Sequence, residues 1–377
     1  MRRYTHTYPR QARIGVIGVG NSGQCSVSRL LKDNYYHAEF ILVDTDKTHL
    51  NRRRIGDEAV IERVLLTDQR AAEFNCCRSG TKGDVALGKQ AAVGTMTRIQ
   101  SVIQNYDLLF LFGGMGGGTA TAALPVIAQV AAELDIMTVA IVTTPFGFEG
   151  RPKHRIAHKG VAELNSLVDT LIVAHGDKLL DRIDDRVNLE QAWAEADLLR
   201  HRCLHITEQL TQYPGIINID FADVKAVMEG NGTALMTMGV GYGENKVEDV
   251  VENALTCDML ERSAAGAGNV LMHIVTPPNH DFFEVADIAQ KMTEAIGTQA
   301  DIIWGVSEDT CLHDEVNILM VATGFCEIAQ IGHANSVPMR NAIVESRQQE
   351  SRQRYSLADH FWSLAREQFS SYTRRLA

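Results

Sequence analysis

The chain has 377 residues, 45% of them hydrophobic, enough for one large domain or two ordinary ones with substantial cores. A formal net charge of −11 argues against a nonspecific nucleic-acid binder, so no nucleic-acid partner is expected. The seven cysteines include no CxxC pair, and the adjacent Cys76 and Cys77 suit neither a zinc site nor a disulfide framework. They read as reduced thiols of a cytoplasmic protein.

Residues 1–12 are polar and basic, a loose arm. Arg13-Ile-Gly-Val-Ile-Gly18 is a first strand. It enters the loop Gly18-Val-Gly20-Asn21-Ser22-Gly23 and a helix carrying Val27, Leu30 and Leu31. A second strand ends at Asp44. A GxGxxG loop with an acid after the second strand is the dinucleotide fingerprint, a weak signal alone. It leaves a nicotinamide-dependent oxidoreductase as an alternative. Further on, Gly80-Thr-Lys82-Gly83-Asp84 looks like a loop, and residues 93–103 have helical spacing.

Leu108-Leu-Phe-Leu-Phe112 is a continuous apolar run, the pattern of a parallel strand buried on both faces. Five glycines follow between Gly113 and Gly118, then Thr119-Ala-Thr121 and an alanine-rich helix over 122–134. Residues 108–132 are uncharged and long enough to suggest a membrane span. The central glycines and the lack of basic flanks favour strand, loop and helix. Glycines let the backbone approach a ligand, and amides at a helix start attract anions. The expected ligand is a polyphosphate.

Residues 137–143 form the next strand, ending in Thr144-Pro-Phe-Gly-Phe-Glu149-Gly-Arg-Pro-Lys153. Residues 171–174 form another. Strands alternating with helices predict an α/β, doubly wound parallel sheet with its ligand beyond the carboxyl ends of the strands. Residues 188–210 read as one long helix, with Trp193 and Asp197 four apart on one face. An aromatic ring can stack on a base. A carboxylate can accept from N1–H and the exocyclic amine of guanine, whereas adenine offers an acceptor at N1. A core tryptophan and a surface acid would give the same pattern.

After Tyr213-Pro-Gly215, Asn218, Asp220 and Asp223 are threaded among apolar residues. Ionised, the acids could orient water or hold a cation; Asp223 could equally cap a helix. Residues 239–243 look like a turn, and 247–260 and 283–296 like helices. Residues 269–275, 301–305 and 316–322 look like strands, making a second, smaller sheet with helices packed on it. Residues 335–355 are linker-like. Ser356-Leu-Ala-Asp359 opens an amphipathic helix with Phe361, Trp362, Phe369 and Tyr372 on one face and Arg366, Arg374 and Arg375 nearby. That tail could dock on its own body, a neighbouring subunit, a tail-binding protein or an anionic membrane surface. There is no HExxH, no tight His/Cys cluster and no GxxxxGK[ST], so no transition-metal site and no Walker-type loop are expected.

Taken in order, these motifs resemble the FtsZ/tubulin superfamily, and FtsZ most closely. Gly116-Gly-Gly-Thr-Ala-Thr-Ala resembles its GGGTGTG, Pro145-Phe-Gly-Phe-Glu-Gly its PFxFEG, and Asn218-Ile-Asp-Phe-Ala-Asp its NxDFAD. Gly18 to Gly23 stand where that family has its first glycine loop, and the likeness spans roughly residues 11–325.

The resemblance implies a GTP-binding domain over 13–187, a core helix over 188–212, and a second mixed-sheet domain over 213–325. The linker and tail helix would fill 326–377. It implies a head-to-tail filament, with GTP hydrolysed between subunits and Mg²⁺ assisting through phosphate oxygens. Gly20, Asn21 and Ser22 would face the phosphates with Gly116, Gly117, Gly118 and Thr119. Glu149 and Lys153 would lie near ribose and phosphates; Trp193 would stack on guanine and Asp197 would read its edge. Asp220 and Asp223, helped by Asn218, would polarise water above a neighbour's GTP.

The sequence departs from the family at several positions. Ala120 and Ala122 replace signature glycines, Asn21 and Ser22 replace glycines of the first loop, and Cys25 and Asp44 replace asparagines. Lys153 replaces an arginine, and residues 80–88 match poorly. A divergent paralogue is implied, with a division-related or positioning role. A scaffold that binds GTP without turnover is the alternative within the family.

Overall fold

The computed structural model describes residues 12–31, 38–52, 61–67, 80–177, 197, 200, 204, 216–228, 232–255, 264, 266–278, 280–297, 299–310 and 312–325. The arm before residue 12, Trp193, most of the predicted core helix and everything after 325 lie outside them. Of that helix, Asp197, Arg200 and Leu204 are described, and all three are helical.

The first half is a parallel sheet in the order β3-β2-β1-β4-β5-β6-β7. Its strands are β1 (Ile14–Val19), β2 (Glu39–Asp44), β3 (Ile61–Leu65), β4 (Leu108–Gly114), β5 (Met137–Thr143), β6 (Thr170–Ala174) and β7 (Gly232–Thr233). The unbroken apolar runs of β1, β4 and β5 are buried throughout their apolar stretch, because helices cover both faces. On one face Val16, Phe40 and Phe110 pack with Val27 and Leu30 of α1 (Gly20–Leu30). On the other, Ile17, Ile41 and Leu111 meet three later helices. Ala123, Leu124 and Ile127 come from the alanine-rich helix Ala120–Glu133, Ile99 and Ile103 from Met96–Ile103, and Ala157 and Leu164 from Arg151–Asn165.

In chain order after α1, the helices are α2 (Lys47–Arg52), α3 (Val85–Gly94), α4 (Met96–Ile103), α5 (Ala120–Glu133), α6 (Arg151–Asn165), α7 (Phe221–Met228), α8 (Lys246–Leu255) and α9 (Phe282–Ile296). The uncharged stretch 108–132 is thus divided between β4 and α5. Among the described residues no helix is long and apolar enough to cross a membrane.

The second half is a mixed sheet in the order β10-β9-β11-β8. Here β8 is Leu235–Tyr242, β9 Asn269–Thr276, β10 Asp301–Glu308 and β11 Glu315–Thr323. Strands β9 and β10 run parallel, and β11 is antiparallel to β9 and β8. One face buries Val270, Met272 and Ile318 against Val250 of α8 and Ile288 of α9. The opposite face sends Leu271, Leu319 and Val321 into the core shared with Val224 and Val227 of α7 and with Phe110. The two halves therefore share one packed core through α7.

Two local expectations change, and one strand pairing is new. Residues 239–243 are mostly strand: β8 runs to Tyr242, and its glycines serve packing rather than turning. A Cβ on Gly239 would lie 2.1 Å from the Val250 carbonyl oxygen, and one on Gly241 1.9 Å from that of Lys246. Residues 93–103 are divided between α3 and α4 at Thr95. The Thr95 hydroxyl donates to Ala91 O at 2.8 Å and accepts from Thr67 N at 2.9 Å. Finally, β7 follows the acid-bearing loop in sequence yet extends the first sheet beside β6.

Candidate nucleotide site

The chain lays down β1, steps outward to β2 and β3, and returns to place β4 on the other side of β1. That reversal opens a crevice at the carboxyl ends of β1 and β4, where open α/β sheets bind ligands. Two helices start there. Helix α1 leaves β1 at Gly20 and α5 leaves the β4 loop at Ala120. Neither preceding residue, Val19 or Thr119, caps its helix with a side chain, so the first amides stay available for an anion. The starts are adjacent: a Cβ on Gly20 would lie 3.6 Å from Ala120 N, and one on Gly114 2.9 Å from Ser22 Cβ.

The structure thus brings Gly20, Asn21 and Ser22 together with Gly116, Gly117, Gly118 and Thr119. Gly116 has φ 97°, a left-handed conformation that suits glycine. Gly117 is exposed, and a Cβ there would meet nothing within 4 Å, so it faces the open side of the cradle. Ala120 and Ala122 are ordinary helical residues of α5, which their Cβ atoms permit. Thr121 is buried, and its Oγ1 accepts from Gly116 N at 3.0 Å, so it shapes the loop. Thr119 reaches sideways, its hydroxyl 2.7 Å from that of Thr45 at the end of β2.

Asp44 does not present a ribose acceptor. It is 3% exposed, and its Oδ1 accepts from the amides of Thr45 at 2.7 Å and Asp46 at 3.2 Å. Its Oδ2 accepts from the Gln24 side chain. Burial pushes this carboxyl above its ordinary value, with the three donors pulling against that. The dinucleotide reading depended on this acid and loses it.

Asp197 is buried and held between two arginines. Arg200 donates to its Oδ1 at 2.9 Å, and Arg29 of α1 donates to its Oδ2. Arg200, 1% exposed, also bonds Ser26 Oγ at 3.1 Å and reaches the Gly113 carbonyl at 3.4 Å and Thr143 Oγ1 at 3.5 Å. It therefore ties the core helix to α1, to the base of the glycine loop and to the end of β5. Glu149 and Lys153 pair with each other at 2.8 Å, and the second oxygen of Glu149 accepts from Phe146 N at 3.1 Å. Phe148 beside them is 72% exposed.

The acid loop belongs to the other half. Ile217 bridges Val306 of β10 through paired backbone bonds of 3.1 and 3.0 Å. This fixes the chain just before Asn218, which is exposed. Asp220 is exposed and Asp223 half-buried, both at the start of α7. Among the described residues no trio of His, Cys, Asp or Glu is arranged to hold a metal ion.

Two features escaped the sequence reading. Arg200 lies three residues after Asp197 on the same helical face, a spacing that could have flagged the pair. Lys82, set between glycines, has φ 51°, a conformation rarely taken by residues with a Cβ.

A parallel sheet with two uncapped helix starts facing one crevice, joined through a shared core to a mixed sheet, defines a nucleotide-binding α/β protein of two halves. Residues 13–184 match the GTPase domain of the Tubulin/FtsZ family, and residues 232–326 match the FtsZ family C-terminal domain. The chain belongs to this family, as a divergent FtsZ-like member. An empty FtsZ dimer from M. jannaschii is 28% identical, with a TM-score of 0.72 over 87% of this chain and 96% of that one. A tryptophan-to-tyrosine mutant of M. jannaschii FtsZ is 30% identical over 84% of this chain and 92% of that one, also with a TM-score of 0.72. A GTPγS-bound CetZ2 protofilament from Haloferax volcanii shares the fold at 17% identity, with a TM-score of 0.67 over 92% of this chain and 99% of that one.

Proposed function

We propose that the protein binds GTP in this cradle, polymerises head to tail and hydrolyses GTP at the junctions between subunits. The observation that carries the reading is the pair of uncapped helix starts, at Gly20 and Ala120, side by side at one crevice. Gly20, Asn21, Ser22, Gly116, Gly117, Gly118 and Thr119 hold the phosphates. Glu149 and Lys153 lie toward ribose and phosphate, and Trp193 stacks on guanine. Asp197 reads the guanine edge. Each of its oxygens keeps a second lone pair, so the two guanidiniums orient the carboxylate rather than consume it.

Asp220 and Asp223, with Asn218, polarise water above a neighbouring subunit's GTP. The FtsZ dimer at 28% identity supports self-association. The hydroxyls of Ser22 and Thr45, the latter beside Thr119, fit a hard cation held mainly by phosphate oxygens and water, as Mg²⁺ is. Such a cation would neutralise phosphate charge. The cellular setting is cytoplasmic, in division or in filament-based positioning, with the 356–377 segment available to a tail-binding partner or membrane surface.

The test is sedimentation with GTP and GDP alongside phosphate release across a concentration series. GTP-dependent pelleting, with release rising faster than linearly, is expected. Release strictly proportional to concentration, without pelleting, overturns assembly-coupled turnover.

A further inference from the structure

We propose that the exposed face of α6 docks on the exposed face of α8 in a second copy of this chain, joining neighbouring filaments side by side. The inference goes beyond the nucleotide site and rests on the head-to-tail reading. Helix α6 carries Arg151, Arg155 and Lys159 at four-residue intervals, all exposed, with Ala157, Gly160 and Leu164 buried on its other side. Residues four apart share a helix face, and such a stripe is about 12 Å long. Lys153 is occupied by Glu149, and Glu163 near the far end by Lys89. Among the described residues Arg151, Arg155 and Lys159 make no hydrogen bond or ion pair.

These cations stand where their own helix disfavours them. The first turn of α6 holds no acid, and Arg151 and Arg155 lie close to its positive end. Like charges four residues apart also repel. The stripe therefore destabilises an isolated chain, and an acidic partner relieves it.

The chain supplies that partner. Glu244, Glu248 and Glu252 are exposed at the same four-residue interval, Glu244 in the 3₁₀ turn Gly243–Asn245 and the others on α8. Asp287 and Glu294 of the neighbouring α9 are exposed and add to the negative field. The lysines of these helices are already engaged, Lys246 by Glu284 and Asp314, and Lys291 by Glu248 and Asp287. An anionic membrane would fit α6 alone and repel the rest of a chain whose net charge is −11. A second copy satisfies both stripes.

Topology separates this contact from the head-to-tail junction. Helix α6 starts beyond the carboxyl end of β5, and its crossover to the parallel strand β6 carries it back down the flank. Helix α8 leaves the carboxyl end of β8 and doubles back along it, since a Cβ on Gly241 would meet Lys246 O and one on Gly239 Val250 O. Both stripes thus run along sides, whereas the cradle and the acid loop occupy ends. Stacking end to end leaves the stripes to adjacent filaments.

The test is sedimentation of the full chain with GTP and Mg²⁺ at two speeds, because single filaments pellet only at high speed and bundles also at low speed. Arg155→Glu with Lys159→Glu reverses the α6 stripe, and Glu248→Lys with Glu252→Lys reverses that of α8. Each reversal is expected to cut the low-speed pellet about tenfold at about 0.1 M salt, with the high-speed pellet kept. Combining both reversals restores attraction and should recover the low-speed pellet. Glutamine at those positions disturbs the helices least and should also abolish bundling. Bundling unmoved by reversal, or a combined variant that forms filaments without recovering bundles, overturns the proposal. A glutamine variant that loses both pellets places the stripes in the junction itself and overturns the side-by-side assignment. An α6 reversal that abolishes binding to phosphatidylglycerol vesicles but spares bundling gives the face to a membrane instead. Wild-type filaments that never bundle overturn this proposal alone, and a wild-type chain that forms no filaments sinks the head-to-tail reading with it.

Discussion

The backbone amide of Asp220 donates to the Asp223 carboxylate at 2.9 Å, and the amide of Asp223 donates back to the Asp220 carboxylate at 2.9 Å. The two acids cap the start of α7 reciprocally. One oxygen of each accepts from the backbone, which leaves the other without a bond to it. Both readings of Asp223, helix cap and water-orienting carboxylate, are therefore compatible in one geometry. Asp223→Asn separates them, since an amide oxygen can still accept from the Asp220 amide but carries no charge. We expect normal folding and GTP affinity with phosphate release about a hundredfold slower. Turnover within about twofold of wild type would show the charge to be dispensable.

Adjacent glycines of the cradle differ in what constrains them. A Cβ on Gly118 has no room beside Thr81 and Asp84, whereas one on Gly117 meets nothing within 4 Å. Gly118→Ala is expected to destabilise the fold by about 1–3 kcal/mol in urea unfolding. Gly117→Ala should leave stability unchanged and weaken GTP binding, because its methyl occupies ligand space. Equal stability loss in both variants would contradict this division.

Arg200 is buried with Asp197, and Arg29 engages the opposite oxygen. Arg200→Met leaves the carboxylate with one partner and releases the tie to Ser26. The expected cost is about 3 kcal/mol of stability, together with a lower preference for GTP over ATP, because Asp197 is no longer held from both sides. Unchanged base selectivity in a folded variant would assign Arg200 to packing alone.

Glu315 opens β11 opposite Tyr242, and burial pushes its carboxyl up to about 7, with Asn317 pulling against this and Asp309 adding to it. The folded state thus holds this proton more tightly than an unfolded chain, whose value is near 4.5. Its stabilisation is complete below pH 4.5 and is lost as pH rises through 7. His273 has the opposite sign: burial lowers it to about 4, so the folded state loses stability as pH falls from 6.5 through 4. Glu315→Gln should isolate the first effect. The wild-type advantage over this variant is expected to shrink by about 2 kcal/mol between pH 5 and pH 8 in urea titrations. Parallel curves would contradict the assignment.

What was legible in the chain was what local patterning controls. Strands β1, β4 and β5 announce themselves as apolar runs, and β1 and β4 stop at glycine loops. The two glycine loops accordingly lie side by side at one crevice. The glycines of β8 misled because they answer to α8 packed above them rather than to a turn, a constraint invisible without the partner helix. Asp44 misled in the same way. An acid at a strand end looks like a ligand until Gln24 and two amides are found to occupy it. Arg200 acquires meaning only from what the fold sets beside it.

The central claim is that each active site is shared between two molecules, and mixing two inactive variants tests it most directly. Gly117→Asp places a negative charge in the open cradle and should abolish GTP binding, while its acid loop stays intact. Asp223→Asn should bind GTP without hydrolysing it. Mixed in equal amounts, the two should recover a measurable fraction of wild-type phosphate release, because intact acids of one variant then face GTP on the other. A mixture no more active than the sum of its parts, under conditions where both variants co-sediment, would contradict the account.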